Sequence, residues 1–561
     1  MGLLRVTRGG RVIRPRSTVF SGCFEVCSRI RTYSTENKPF YVTTPIFYVN
    51  AAPHVGHLYS MVLADTLKRW NKFMGRDAYM LTGTDEHGMK VQQAAERAGV
   101  QVKEFCDQTS ELFRDFTKLA NVSNDRFMRT TDEDHKLAVY KIWNVLKEKG
   151  YIYKGEHQGW YSISDETFYP ATQVERVIDP VQGTITVSKE TGKIVEWTSE
   201  ENYFFALSRM RDDLLKFYDS TPKFVYPETQ FDYVRATAAT GLPDLSVSRP
   251  AVRFTWGFPV PGDESQTIYV WLDALTNYIT AAGYGTLSDE EFAKSIWPAD
   301  IHVVGKDIVK FHAIYWPAFL MAAGLALPKH VVVHSHWLMN GSKISKSDGN
   351  IVDPAHIIEL AGIDSVRYYL YCHNVLHTDG NFDSEDVLTR RLSDLVYKYS
   401  NFASRVTSRS FNIADAVKDA ENGVDHSKRS DSFMALQTEL ENRLNGLVEK
   451  VNSYIESDFN VTAAVNEVMD TLRLANKYSE FATPWKTARH NVSPALFRMS
   501  EVVRVTSLVL QPFMPTYSAG ALDKIKVSSD RRTVDYAKFG ADYTYGEGAN
   551  GKSAHVIRDI R

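Results

Sequence analysis

Cysteine is scarce in this chain. There are four in 561 residues, at 23, 27, 106 and 372, and no two form a CxxC pair. That excludes a disulfide framework and a cysteine-based zinc knuckle. Long apolar runs are missing too. The best candidate, Phe311 to Leu327, is interrupted by His, Pro and Gly, and nothing reaches the ~18 residues that a membrane-spanning helix needs. No internal repeat and no low-complexity tract occurs. Acids are nearly absent from residues 1–33, which hold seven Arg, no Lys and one acid, Glu25. A formal charge of −3 overall therefore leaves −9 for the rest. An acidic body argues against bulk nucleic-acid binding, while leaving room for a local basic face that grips one RNA.

What is present suits several packed cores. A chain of 561 residues, 43% of them apolar, predicts two to four domains. The Arg-rich, Ser/Thr-containing first segment has the composition of a mitochondrial transit peptide, and Arg31-Thr32-Tyr33-Ser34 reads as a matrix cleavage site. The alternative is a basic arm that binds RNA. The folded pattern starts only at Phe40, which favours targeting to the mitochondrial matrix.

Phe40 to Thr44 is a β-rich run ending at Pro45. A helix pattern follows from about His57 to Phe73, with Gly75 as its stop. Tyr79 to Thr82 is a second apolar strand ending in Gly83-Thr84-Asp85-Glu86-His87-Gly88. Strand, helix and strand at this spacing predict a parallel α/β unit. Residues from about 120 to 240 are mixed and locally charged, and read as an insertion. The α/β pattern resumes at Ile301 to Gly305, Val331 to Leu338 is a further strand, and a loop follows at about 339–350. From about 391 helical periodicity takes over, as in Ser432 to Ser453 and Pro494 to Leu510. The expected division is a presequence over 1–33, an α/β domain over 34–390, a helical domain over 391–525 and a tail over 526–561.

Two short motifs carry the chemistry. Pro53-His54-Val55-Gly56-His57 stands at the turn opening the first helix. Lys343-Ile344-Ser345-Lys346-Ser347 follows 286 residues after His57, on a Gly/Ser-containing loop, Asn340-Gly341-Ser342. His54 and His57, at i and i+3, present two imidazoles from one face of a helix N-terminus, where orphan N–H groups favour anions. Gly56 lets a ligand approach the backbone closely, and a loop lysine can swing onto a phosphate as charge develops. Each motif alone is weak. HxGH is often only a helix start and also occurs in other nucleotidyltransferases, and KISKS alone is a solvated basic loop. In this order and spacing, with a strand before each, they match the two ATP-handling signatures usually written HIGH and KMSKS. The chain resembles, along nearly its whole length, the class I aminoacyl-tRNA synthetases of the mitochondrial methionyl type.

The resemblance implies an α/β fold: a Rossmann-like parallel-sheet catalytic domain with an inserted connective domain, followed by an all-α anticodon-binding helical bundle. It implies ATP, with Mg²⁺ on its phosphates, handled by His54, Gly56, His57, Lys343 and Lys346, and by Gly305 and Asp307 of Gly305-Lys306-Asp307. Asp307 would accept from the ribose hydroxyls; from the residues alone it would as readily cap a helix. Ile344 replaces the usual Met of the second signature, a volume-conserving change. The segments Thr44 to Asn50 and Trp271 to Tyr278 match the methionine site. Asp85 would receive the substrate ammonium, and Ile46, Tyr48, Trp271, Ala274, Leu275, Tyr278 and His312 would form the pocket. Aromatic rings suit a polarizable thioether, although pattern alone would make Trp271 and Tyr278 core aromatics. Asn401 and Arg405, at i and i+4, and the distant Trp485 match the residues that read the anticodon. From the residues alone, these are a polar helix face and a buried Trp after a proline.

Where methionyl enzymes often carry zinc knuckles, Gly159 to Tyr169 keeps an aromatic frame without thiols, so no structural zinc is expected and packing must hold the insertion. About 120 inserted residues are too few for the editing domain of relatives that select branched aliphatic substrates. Gly546 to Ser553 matches the GxxxxGK[ST] phosphate loop literally, yet too little chain follows for the helix that motif requires, so it reads as a Gly-rich turn. The expected partners are methionine and tRNA(Met), with no membrane and a monomeric state. The rival reading is a synthetase-like RNA-binding protein without catalysis. Decay of HVGH, KISKS or Asp85 would mark it, and all three are intact.

Overall fold

The computed structural model describes residues 38–162, 167–169, 171–179, 183–252, 255–339, 341–343, 353–373, 375–424, 430–486 and 492–549. The segment expected as a presequence lies outside them, as do Ile344 to Ser347 of the second signature. At the centre is a six-stranded, wholly parallel sheet. Its strands in chain order are β1 (Phe40–Tyr48), β2 (Ala78–Asp85), β3 (Arg126–Arg129), β4 (Val225–Tyr226), β5 (Ile301–Gly305) and β6 (His330–His334). Their spatial order is β3-β2-β1-β5-β6-β4. The order reverses between β1 and β5, so a crevice opens past the carboxyl ends of these two strands. Helices cover both faces, which is why Val303, Val304 and Val331 to Val333 are buried in continuous apolar runs.

The first strand is longer than its sequence suggests. β1 runs through Pro45 to Tyr48, and its ladder with β2 shifts register between Thr43 and Ile46. Pro45 has no N–H to donate, and the irregularity absorbs that loss. Ile46 and Tyr48 thereby reach the mouth of the crevice. Gly83 has a steric reason: a Cβ there would stand 2.1 Å from the carbonyl oxygen of Met128 on β3.

The insertion has other limits than 120–240. Strands β3 and β4, both inside that range, belong to the central sheet. They are short edge or near-edge strands with little apolar signal. The separate unit is a four-stranded sheet built on Ile152–Ser162 and Glu196–Phe205, with Thr167–Tyr169 and Leu245–Ser246 at its edges. A hairpin, Val174–Asp179 with Gly183–Ser188, and a three-stranded sheet extending to Ile268 accompany it. Aromatic packing holds it where thiols are missing. Trp160 and Trp197 meet edge-on at 5.5 Å, Tyr161 and Tyr169 are buried, and Arg249 lies over the rings of Tyr161 and Tyr269.

From Pro354 onward the described chain is mainly helical. Helices Asp431–Asp458, Val461–Ala482 and Ser493–Leu510 form the bundle. Residues Arg391–Ser400 form a π-helical segment leading into the helix Asn401–Val406. The core does not break at 390. One apolar cluster joins Leu67 and Trp70 of α1 (Val55–Phe73) to Tyr369, Leu508 and Phe513. A buried ion pair reinforces the joint: Arg367 meets Asp65 of α1 at 2.8 Å and donates to the Phe513 carbonyl at 2.8 Å. The tail packs back on the bundle, where Arg504 donates to the Lys538 carbonyl and Glu501 accepts from the Gly540 N–H. Gly546, at φ 100, makes a turn against Ile413; residues 550–553 of the literal phosphate-loop match lie outside the described residues. Among the described residues no helix is long and apolar enough to cross a membrane.

Candidate active site

A cleft of about 390 Å³ lies past the carboxyl ends of β1, β2, β5 and β6. It brings together residues from five separate stretches of sequence. Ile46, Tyr48, His54, Gly56 and His57 line it from β1 and the start of α1. Asp85 comes from β2, and Trp271, Ala274, Leu275 and Tyr278 from α2 (Val270–Thr280). Gly305 ends β5, Asp307 follows it, and His312 completes the set.

The two signature histidines cap α1 reciprocally. The ring Nδ1 of His54 accepts from the Gly56 N–H at 3.0 Å, and Nδ1 of His57 accepts from the His54 N–H at 3.1 Å. This is a capping box built from imidazoles, with the two rings stacked at 3.8 Å. A side chain at 56 would meet the His54 ring at 2.9 Å, so glycine keeps room for that ring. Burial pushes the His57 imidazole well below its ordinary pKa, with His54 and His334 adding to the effect. A neutral ring that accepts at Nδ1 carries its proton on Nε2, so His57 offers a hydrogen-bond donor rather than a charge.

The apolar end is equally fixed. Trp271 stacks flat on Phe311 at 3.6 Å. His312 Nδ1 lies 2.9 Å from the Ile308 carbonyl, which can only accept, so that nitrogen holds the proton. Nε2 then accepts from the Tyr278 hydroxyl at 2.7 Å. Burial pushes His312 down to about 4, against the bond to Ile308, and it is neutral near pH 7. Tyr278 is fully buried yet lines the cleft, so it is both core aromatic and wall. A π-helical turn, Phe311–Tyr315, supplies both Phe311 and His312.

Two buried networks hold the loop that follows Asp85, the last residue of β2. Glu86 takes two bonds from Arg129, at 2.6 and 2.9 Å, and one each from Thr84 and Thr131. His87 reaches Asp273 of α2 at 2.6 Å, and His135 reaches the same carboxylate at 2.8 Å. Burial alone would raise the Asp273 pKa, but the charge and hydrogen bonds of His87 and His135 outweigh it and hold Asp273 at about 2. Asp85 and the pocket helix are thus tied by side chains that never line the cleft.

On the other side, Asp307, inside the turn Lys306–Ile308, accepts from His336 at 2.9 Å. Sequence reasoning did not single out His334, His336, Trp337, Ser60 or Lys90, all of which line the cleft. His334-Ser335-His336 directly after a strand was the available signal. Burial pushes His334 down to about 4, and its Nε2 accepts from Ser60 of α1 at 2.7 Å. Ser342–Lys343 is a short strand paired with Trp337–Met339 beyond β6; Lys346 lies outside the described residues.

The candidate anticodon residues stand apart on the bundle, and none lines the cleft. Asn401 is exposed, and Arg405 donates to Asn476 of the helix Val461–Ala482. That helix ends in left-handed Thr483, and the turn Pro484–Lys486 presents Trp485 with 52% of its surface exposed. An exposed ring, not a buried one, follows the proline. Phe481, also exposed, was missed.

With this geometry in hand, known proteins give a consistent comparison. The family model "tRNA synthetases class I (M)" matches residues 40–407, and "Anticodon-binding domain of tRNA ligase" matches 437–540. A probable mitochondrial methionine–tRNA ligase of Neurospora crassa is 42% identical, covering 91% of this chain and 83% of its own. The mitochondrial methionine–tRNA ligase of Saccharomyces cerevisiae is 39% identical, covering 94% and 96%. Among solved structures, the methionyl-tRNA synthetase of Mycobacterium tuberculosis bound by methionyl-adenylate superposes with a TM-score of 0.80. It is 38% identical, over 89% of this chain and 96% of that one. The parallel sheet, the helical domain behind it and these matches together make the chain a member of the class I tRNA synthetases of the M family.

Proposed function

We propose that the chain is a methionine–tRNA ligase of mitochondria, acting in the matrix as a monomer. One observation carries this reading: a cleft at the switch point of the sheet joins a histidine-capped helix N-terminus to a wall of aromatic side chains, with the carboxylate Asp85 beside them. Relatives named methionine–tRNA ligase, and a neighbour with methionyl-adenylate bound, support it.

In this reading Asp85 receives the methionine ammonium. Ile46, Tyr48, Trp271, Ala274, Leu275, Tyr278 and His312 hold the side chain. A carboxylate oxygen of methionine attacks the α-phosphorus of ATP, the bond to the bridging oxygen breaks, and pyrophosphate leaves with its electron pair. His54 and His57 donate to the phosphates, Lys343 and Lys346 neutralise the departing pyrophosphate, and Gly305 and Asp307 hold the nucleoside. A terminal ribose hydroxyl of tRNA(Met) then attacks the acyl carbon. AMP leaves with the acyl–oxygen electrons, and the hydroxyl proton passes to solvent. Asn401, Arg405 and Trp485 read the anticodon, the Trp by stacking an unstacked base. Mg²⁺ arrives with ATP. The described residues hold no group of three His, Cys, Asp or Glu side chains that would cage a metal, and a cation that keeps its waters and binds substrate phosphates needs none.

The test is methionine-dependent ATP–pyrophosphate exchange by protein beginning at Ser34, with isoleucine, leucine, valine and cysteine as controls. Exchange with methionine alone is the expected result. A folded protein giving no exchange would overturn the reading.

A further inference from the structure

Among the described residues lining the cleft, Lys90 carries the only permanent positive charge. It is the second residue of the helix Met89–Ala98, whose first turn has no acid and whose N-cap, Gly88, gives no side-chain bond. A cation there opposes the helix dipole. No carboxylate among the described residues pairs with it. Its ammonium stands 5.7 Å over the Tyr48 ring, a contact that keeps it at the cleft wall. A half-buried cation in an unfavourable helix position, without a protein counter-ion, fits an anionic ligand.

Location decides which anion. The described groups assigned to ATP, namely His54, His57 and Asp307, lie at the start of α1 and just past β5. Lys90 lies on the opposite side, beyond β2. The inserted unit closes over that side: Trp256 donates its indole N–H to the Glu86 carbonyl at 2.5 Å and accepts from the Gly88 N–H at 3.2 Å, and the Thr255 N–H reaches Gln92 at 3.3 Å. Asp85 already serves the ammonium in the proposed reading, and the methionine carboxylate is consumed in the adenylate. The anion left to enter from this side is the backbone of the tRNA acceptor end.

We propose that Lys90 binds a phosphodiester at the 3′ end of the tRNA and aligns the terminal ribose for transfer. This rests on the methionine–tRNA ligase reading. The experiment compares two steps in Lys90→Gln and Lys90→Arg: pyrophosphate exchange, and single-turnover transfer from preformed methionyl-adenylate to tRNA. Lys90→Gln should slow transfer about tenfold more than exchange, and should lower the salt dependence of tRNA binding by about one unit of log–log slope. Lys90→Arg should recover most of the transfer rate. Equal losses in both steps would assign Lys90 to ATP or methionine and overturn the proposal, as would unchanged transfer. Exchange activity of the variants reports that they fold. Absence of exchange in the unsubstituted protein would instead sink the ligase reading itself.

Discussion

Tyr278 donates its hydroxyl to Nε2 of His312, the acceptor left once the Ile308 carbonyl fixes the proton on Nδ1. Removing it leaves a buried Nε2 acceptor without its donor, which costs on the order of 1 to 3 kcal/mol. Tyr278→Phe should therefore raise the KM for methionine by about fivefold or more in pyrophosphate exchange, with little change in the KM for ATP. An equal rise for both substrates would mean that the hydroxyl shapes the whole cleft and not the methionine end. Residues of this kind differ in how legible they were. His54, Gly56 and His57 stand together in sequence, so their spacing alone disclosed a helix N-terminus carrying two imidazoles. His87, His135 and Asp273 are separated by long stretches, each an ordinary polar position until the fold joins them.

At the scale of elements, that buried triad links the loop after β2, the helix Glu133–Glu148 and α2. Asp273 has a folded pKa of about 2 against an ordinary 3.8. A depressed carboxylate contributes stability that is fully present above its unfolded pKa and is lost as pH falls through the folded value. The contribution, about 2 kcal/mol, should disappear between about pH 4 and pH 2. In urea titrations, Asp273→Asn should flatten that acid limb; an unaltered limb would assign it to other carboxylates. The joint between Asp65 and Arg367 gives a second expectation. Both are fully buried, so Arg367→Met should destabilise by ~3 to 5 kcal/mol because Asp65 loses a buried partner. A loss below about 1 kcal/mol would show that Arg69 and Ser123 suffice for Asp65. Elements were legible where their period was clean, as in α1 and the long bundle helices. The π-helical segment Arg391–Ser400 was not, because apolar spacing suited to 3.6 residues per turn does not reveal a wider turn. Strands β3 and β4 were too short and too peripheral to announce themselves.

At the scale of the whole molecule, the proposed reading assigns the substrates to two separate places on one chain. Trp485 is exposed on the bundle, away from the cleft. Trp485→Ala should lower kcat/KM for tRNA charging by about tenfold or more, as expected for loss of one stacked base, and leave adenylate formation within about twofold. Equal loss in both assays would make Trp485 a structural residue.

The cluster that runs from α1 into the bundle has a further consequence, in time. During synthesis α1 leaves the ribosome early, with Trp70 and Phe73 made for a core whose far wall includes Phe513. At about 5–20 residues per second, that wall appears on the order of a minute later. Until that wall is made, the flank of α1 that it covers has no bundle to pack against. A chain stopped short of the bundle is therefore expected to expose that flank and to aggregate rather than to fold as a smaller enzyme.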